Sequence, residues 1–171
     1  WDLKWNLLVE CAKVLPGHIT THLIVCLGES EEDMVKAMAA CLRHGITIGL
    51  FAFTPVRGTP WAAHLPPSIA HYRRIQIAHQ LLKLGYFQDV VSYKSGSIFR
   101  FNMPEEELLT ILDNGQSFQT SGCHDCNRPY YNERPGGLMY NYPRPLTVAE
   151  VTKAIAECEI VRREYDELAN Y

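Results

Sequence analysis

Cys123-His-Asp-Cys126 sets two thiols at the spacing of paired metal ligands. A two-residue gap lets both thiolates face one metal, which suits zinc or an iron–sulfur cluster. A closed zinc site would need a second such pair, and the chain has none. His124 directly follows Cys123, where its ring turns away more easily than toward the same ion. Two other readings stay open for the motif, a structural turn and a redox pair. Against the redox pair, the motif runs into Asn-Arg-Pro-Tyr-Tyr and not into a helix. Arg128, Arg134 and Arg144 lie nearby. A surface arginine is ordinarily just solvated. Three in an aromatic-rich stretch beside thiolates would instead neutralise an anionic cluster or grip a carboxylate with paired hydrogen bonds.

Gly28 and Glu29 are the second candidate, in the loop that follows a short apolar run at 19–27. Locally they read equally well as a turn that needs a small residue before a helix. In parallel α/β folds, however, ligands bind beyond the carboxyl ends of the strands. The loop from Phe53 to Pro60 stands at the equivalent end of a second apolar run, so both loops are expected on one side.

The elements that position these residues follow from periodicity. Leu3, Leu7, Leu8, Cys11 and Val14 recur at helical spacing until Pro16-Gly17 stops them. Residues 19–27 and 46–53 are short, apolar and β-branched, as buried strands are. Between them Ser30 and Asp33 form a capping box for a helix ending at Gly45. Strand, helix, strand predicts a parallel βαβ unit, with one sheet edge left unpaired. Ser68 caps a third helix, with Tyr72, Ile75, Ala78 and Leu82 on its apolar stripe, ending at Gly85. Residues 87–93 and 97–101 predict a hairpin, and 104–114 a short helix closed by Gly115. The stretch 116–146 has no clear period, and its aromatic content sets it apart from a disordered linker. Thr147 and Glu150 form a second capping box, for a final helix predicted to run to about Ala169.

Bulk properties narrow the classes. The hydrophobic fraction of 47% supports a real core. A net charge of −3 argues against a general nucleic-acid binder, which would be basic. No stretch approaches the roughly 18 uninterrupted apolar residues of a membrane span. Cys11, Cys26, Cys41 and Cys158 stand alone in periodic segments, which suits a reducing compartment and makes cytoplasm the expected location. The chain starts at Trp1, already inside a helical pattern, and is expected to be part of a longer protein.

At THLIVCLGESEEDMV (21–35) and LFAFTPVRGTP (50–60) the sequence resembles the radical S-adenosylmethionine superfamily, in the branch that contains biotin synthase. The resemblance covers residues 1 to about 80. The tail TSGCHDCNRPYYNERPGGLMYNYPRPL (120–146) is similar to the C-terminus of biotin-synthase-like, two-component lipoyl synthases. The resemblance implies an α/β fold, the C-terminal part of a (β/α) partial barrel, over residues 1–86. Residues 87–171 would be an irregular cysteine-bearing extension. Leu23, Ile24, Gly28 and Glu29 would border the adenosylmethionine, and Thr54 and Val56 would meet its adenine. Cys26 stands where the family often has glycine.

Cys123 and Cys126 would hold an auxiliary 4Fe–4S cluster. Two cysteines are too few for a cubane, so a third ligand is expected from outside these residues, from Ser121 or from the substrate. The CxxxCxxC loop that cleaves adenosylmethionine does not occur in the 171 residues, so they alone are expected to be inactive. The implied reaction is sulfur insertion into an unactivated carbon chain, as in lipoyl or biotin synthesis, a sulfurtransferase chemistry. The implied substrate is an octanoylated carrier protein or a small molecule, with a second radical enzyme subunit as a further partner. No nucleic acid or membrane partner is expected. Two alternatives are a different radical reaction in which the tail cluster relays electrons, and a non-catalytic zinc-binding interaction domain.

Overall fold

The computed structural model describes residues 1–122 and 137–160, and they form a mixed α/β fold. Helix α1 (Asp2–Val14) leads to strand β1 (Thr20–Val25), helix α2 (Glu31–Arg43) and strand β2 (Thr47–Ala52). Helix α3 (Ile69–Lys83), the hairpin β3 (Val91–Lys94) and β4 (Ser97–Phe101), helix α4 (Glu105–Leu112) and helix α5 (Val148–Ala156) complete the order. No closed barrel occurs among the described residues.

β1 and β2 pair in parallel, with Leu23 opposite Leu50, Ile24 opposite Phe51 and Val25 opposite Ala52. Residues opposite one another share a face, and neighbours along a strand point to opposite faces. Leu23, Val25, Leu50 and Ala52 therefore share one face, and they pack into the core with Met38 of α2 and Ile75 and Leu82 of α3. The other face carries His22, Ile24 and Phe51. It is more open, with Ile24 42% exposed. A single buried cluster reaches from Ala12 to Cys158.

The capping predicted from Ser30 and Asp33 is present in both directions, Ser30 Oγ accepting from the Asp33 N–H and Asp33 accepting from the Ser30 N–H. Glu31 follows, almost fully buried, gripped by Arg74 of α3 and by the Ile98 N–H of the hairpin. Ser95 and Gly96 both have positive φ, 51° and 79°, as a tight hairpin turn of this twist requires. The Gly96 carbonyl accepts from the Glu32 N–H, so the hairpin docks on the start of α2.

The two edges of the sheet differ. Along β2, Leu50 donates its N–H to Ser121 Oγ at 2.8 Å and accepts from the Tyr72 hydroxyl at 2.9 Å. Side chains thus occupy hydrogen-bonding positions that a further strand would use. Among the described residues, no strand pairs with the outer edge of β1.

The final helix is shorter than its periodicity predicts. It stops at Ala156, and Glu159 takes a φ of 66°, which a helix cannot contain. α1 also departs from expectation. Val9 and Ala12 are its buried residues, while Leu3 and Val14 of the predicted stripe are 83% and 75% exposed. Apolar residues lie on both sides of α1, and only one side has a neighbour among the described residues.

Candidate functional site

Both strands end on the same side, and the loops that follow them meet there. Cys26 follows β1 directly and sits in the left-handed region, at φ 80°. Glu29 turns back over it and accepts the N–H groups of Cys26 and Leu27, at 2.6 and 2.8 Å. The Cys26 carbonyl in turn lies 3.0 Å from His64 Nε2, and its thiol contacts the Leu65 carbonyl at 3.7 Å. The turn after β1 is thereby clasped to the loop after β2. Burial, and then the Glu29 charge, push the Cys26 thiol up, so it stays protonated and is a poor metal ligand or nucleophile.

The loop after β2 is stiffened by its own contacts. Thr59 donates its hydroxyl to the Val56 carbonyl at 2.7 Å. Phe53, Trp61 and His64 meet edge to face, with centroids 4.9 to 6.1 Å apart. Between the loops lies an open cavity of about 520 Å3, lined by Leu27, Phe53, Thr54, Val56, Thr59 and Trp61. Val56 is 59% exposed, Trp61 44% and Leu27 41%, so three apolar side chains converge on solvent. Such clusters at strand ends are characteristic of ligand sites. The chemistry on offer is apolar contact. Thr59 already has a partner, and the Thr54 hydroxyl has none among the described residues.

No protein-family model, characterised protein or solved structure is found to match the chain.

The residues singled out in the sequence divide between several places. Thr54 and Val56 line the cavity. Gly28, beside Leu27, has a φ of 106°, and a Cβ built there would meet nothing within 4 Å. Its glycine serves the backbone conformation, with open space around it. Glu29 lies at the same turn, but its carboxylate oxygens are engaged by two backbone amides. Ile24 is on the open face of the sheet, the face on which His22 and Phe51 meet at 4.9 Å. Leu23 is not brought to this group. It packs on the core and lines a separate cleft with Trp1, Trp5 and Leu8. Leu27, Phe53 and Trp61 complete the cavity. The signal for Leu27 and Phe53 was their place just past the strand ends, while Trp61 lies further along the second loop.

Cys123, Cys126, Arg128 and Arg134 lie outside the described residues. Arg144 is described. It grips the Glu150 carboxylate through both Nη atoms, at 2.9 and 2.8 Å, so it supports the cap of α5. Ser121 is likewise engaged at the β2 edge. Among the described residues no three His, Cys, Asp or Glu side chains gather to hold a metal ion, and no helix is long and apolar enough to cross a membrane.

The segments flanking the cysteine stretch are firmly held. Thr120 N–H donates to the Tyr142 carbonyl and Tyr142 N–H to the Phe118 carbonyl. Arg73 of α3, fully buried, donates to the Met139 and Tyr140 carbonyls at 2.7 and 2.6 Å, to Gln76, and to Glu157. The rings of Phe118 and Tyr142 lie 5.4 and 5.7 Å from its guanidinium. On the side facing the strand ends, the Tyr140 hydroxyl reaches the Pro67 carbonyl.

Proposed function

We propose that this chain is the C-terminal portion of a radical S-adenosylmethionine enzyme that inserts sulfur into an unactivated carbon chain, of the kind that makes lipoyl or biotin groups. The observation that carries the reading is the cavity at the carboxyl ends of β1 and β2, where Leu27, Thr54, Val56 and Trp61 converge. Parallel α/β folds bind nucleosides at this end. The cavity's residues fit one. Val56, Leu27 and Trp61 offer apolar surface to a flat base, and the Thr54 hydroxyl is available to it. Glu29 acts as a positioning residue, holding the turn after β1 through two amides. His64 and Cys26 keep the second loop against it.

When bound, adenosylmethionine and its cluster supply the radical that abstracts hydrogen from an unactivated carbon, chemistry no side chain here supplies. Cys123 and Cys126 would hold the auxiliary cluster that provides the sulfur. The described residues on either side give that segment firm ends, at Ser121 and at Met139–Tyr140.

The test is equilibrium binding of adenosylmethionine to the full-length protein, prepared without oxygen. Val56→Asp places a charge in the apolar wall and should weaken binding at least tenfold, with the melting temperature unchanged. Equal affinity in wild type and variant would remove this cavity from the reading.

A further inference from the structure

A second cavity lies at the opposite end of β2. It encloses about 240 Å3 between the end of α2, the start of β2 and the last turns of α3, and Ser121 and Gly122 pass over it. Leu42 and Ile48 give it apolar walls, but the groups that could bind there are polar: His79, Lys83 and Ser121. His79 is 6% exposed, and its Nε2 is shut off from water with no hydrogen-bond partner among the described residues. Buried polar atoms are nearly always paired, so an orphan nitrogen beside a cavity calls for an explanation. Lys83 stands at the rim. The residue is exposed, its ammonium has no acidic partner among the described residues, and desolvation draws its pKa down. Ser121 Oγ accepts the Leu50 N–H, which leaves its own proton to donate.

An ammonium, a hydroxyl and an imidazole form a set rich in donors. Among the described residues, no carboxylate lines the cavity to oppose an anion. We propose that this cavity is a binding site for a small oxyanion of the size of inorganic phosphate, held by Lys83, His79 and Ser121. The site is separate from the cavity at the strand ends, with which it shares no lining residue. Because Ser121 and Gly122 form part of its wall, an occupant would touch the segment that leads to Cys123.

The experiment is calorimetric titration of the protein with inorganic phosphate, and separately with acetate, at constant ionic strength. One phosphate per chain is expected, with a rise in melting temperature that saturates as the site fills. Lys83→Met should weaken binding at least tenfold. His79→Leu separates a ligand-binding role from a packing one. Replacing an orphan imidazole by an apolar side chain should leave the unliganded protein as stable or more so, while removing the phosphate-induced rise. Saturable binding of acetate with none of phosphate would replace the phosphate assignment by a carboxylate. No saturable binding of either anion, or a His79→Leu protein that still gains the full rise, would overturn the site.

Discussion

Cys26 and Glu29 hold each other across the turn that ends β1. The Cys26 N–H donates to Glu29 Oε1 at 2.6 Å, and Cys26 stays at φ 80°. A left-handed backbone costs a non-glycine residue roughly 1–2 kcal/mol. That cost is tolerated here because the turn also feeds the Cys26 carbonyl to His64.

Cys26→Gly relieves that strain, partly offset by the greater freedom of glycine in the unfolded chain. A net gain of about 0.5 kcal/mol is expected. Cys26→Val puts a β-branched side chain at the same φ and should lose about 2 kcal/mol. Urea denaturation of the two variants gives the order directly. A valine variant as stable as the glycine one would show that the turn relaxes freely.

Arg73 is the second test. Its guanidinium is buried, with hydrogen bonds to Glu157, Gln76 and two carbonyls of the returning segment. Removing one side of a buried charge network costs roughly 3–5 kcal/mol, because the partners are left unpaired. Arg73→Ala should therefore lose about that much and open residues near Met139 to limited proteolysis. A loss under about 1 kcal/mol would mean that water replaces the arginine without penalty.

The parallel pair, both capping boxes and the hairpin were legible, since each depends on local chemistry. Ser30 with Asp33 and Thr147 with Glu150 announce helix starts wherever they occur. The burial of Arg73 was not legible. Arg73 and Arg74 are neighbours on one helix, and only the tertiary contacts with Tyr140 and Glu31 take both out of water. Nor was the separation of Leu23 from Ile24. A resemblance assigns neighbouring residues to one ligand, whereas the alternation of a strand sends Leu23 and Ile24 to opposite faces. The end of α5 escaped for a similar reason, because helical spacing continues past Ala156 while the backbone turns at Glu159.

Acid sensitivity should centre on His79. Burial, with the Lys83 charge adding to it, pushes its pKa from the ordinary 6.5 down to about 3. Below 6.5 the unfolded chain takes up a proton that the folded chain refuses. The stabilisation is complete above that pH and is lost progressively toward pH 3, by up to about 1.4 kcal/mol per unit. His71, also lowered by burial, acts in the same direction. Glu150, held down to about 2 chiefly by Arg144, titrates in a lower window, between its ordinary 4.5 and 2. Comparing pH 7.5 with pH 5 therefore isolates the histidines, and His79→Leu isolates one of them. The variant should lose about 2 kcal/mol less than wild type over that interval, by urea denaturation. Equal losses would mean that His79 is protonated in the folded state.

The cysteine pair bears on the proposed chemistry most directly. Cys123 and Cys126 have the spacing of paired ligands, and the segments on both sides are fixed by Ser121 and by Arg73. Ser121 already accepts a backbone amide, so its hydroxyl is a poor candidate for a third ligand. That ligand is expected from the substrate or from residues upstream. The full-length Cys123→Ala/Cys126→Ala protein, prepared without oxygen, should lose one cluster's worth of iron and sulfide. Under the proposed reading it should still cleave adenosylmethionine, a step assigned there to a different cluster, yet form no sulfur-inserted product. Unchanged iron would end the assignment of these cysteines. Normal product with less iron would leave a cluster that relays electrons and does not supply sulfur. Zinc in the wild-type protein, with no iron, would identify a metal-stabilised interaction domain and end the radical reading altogether.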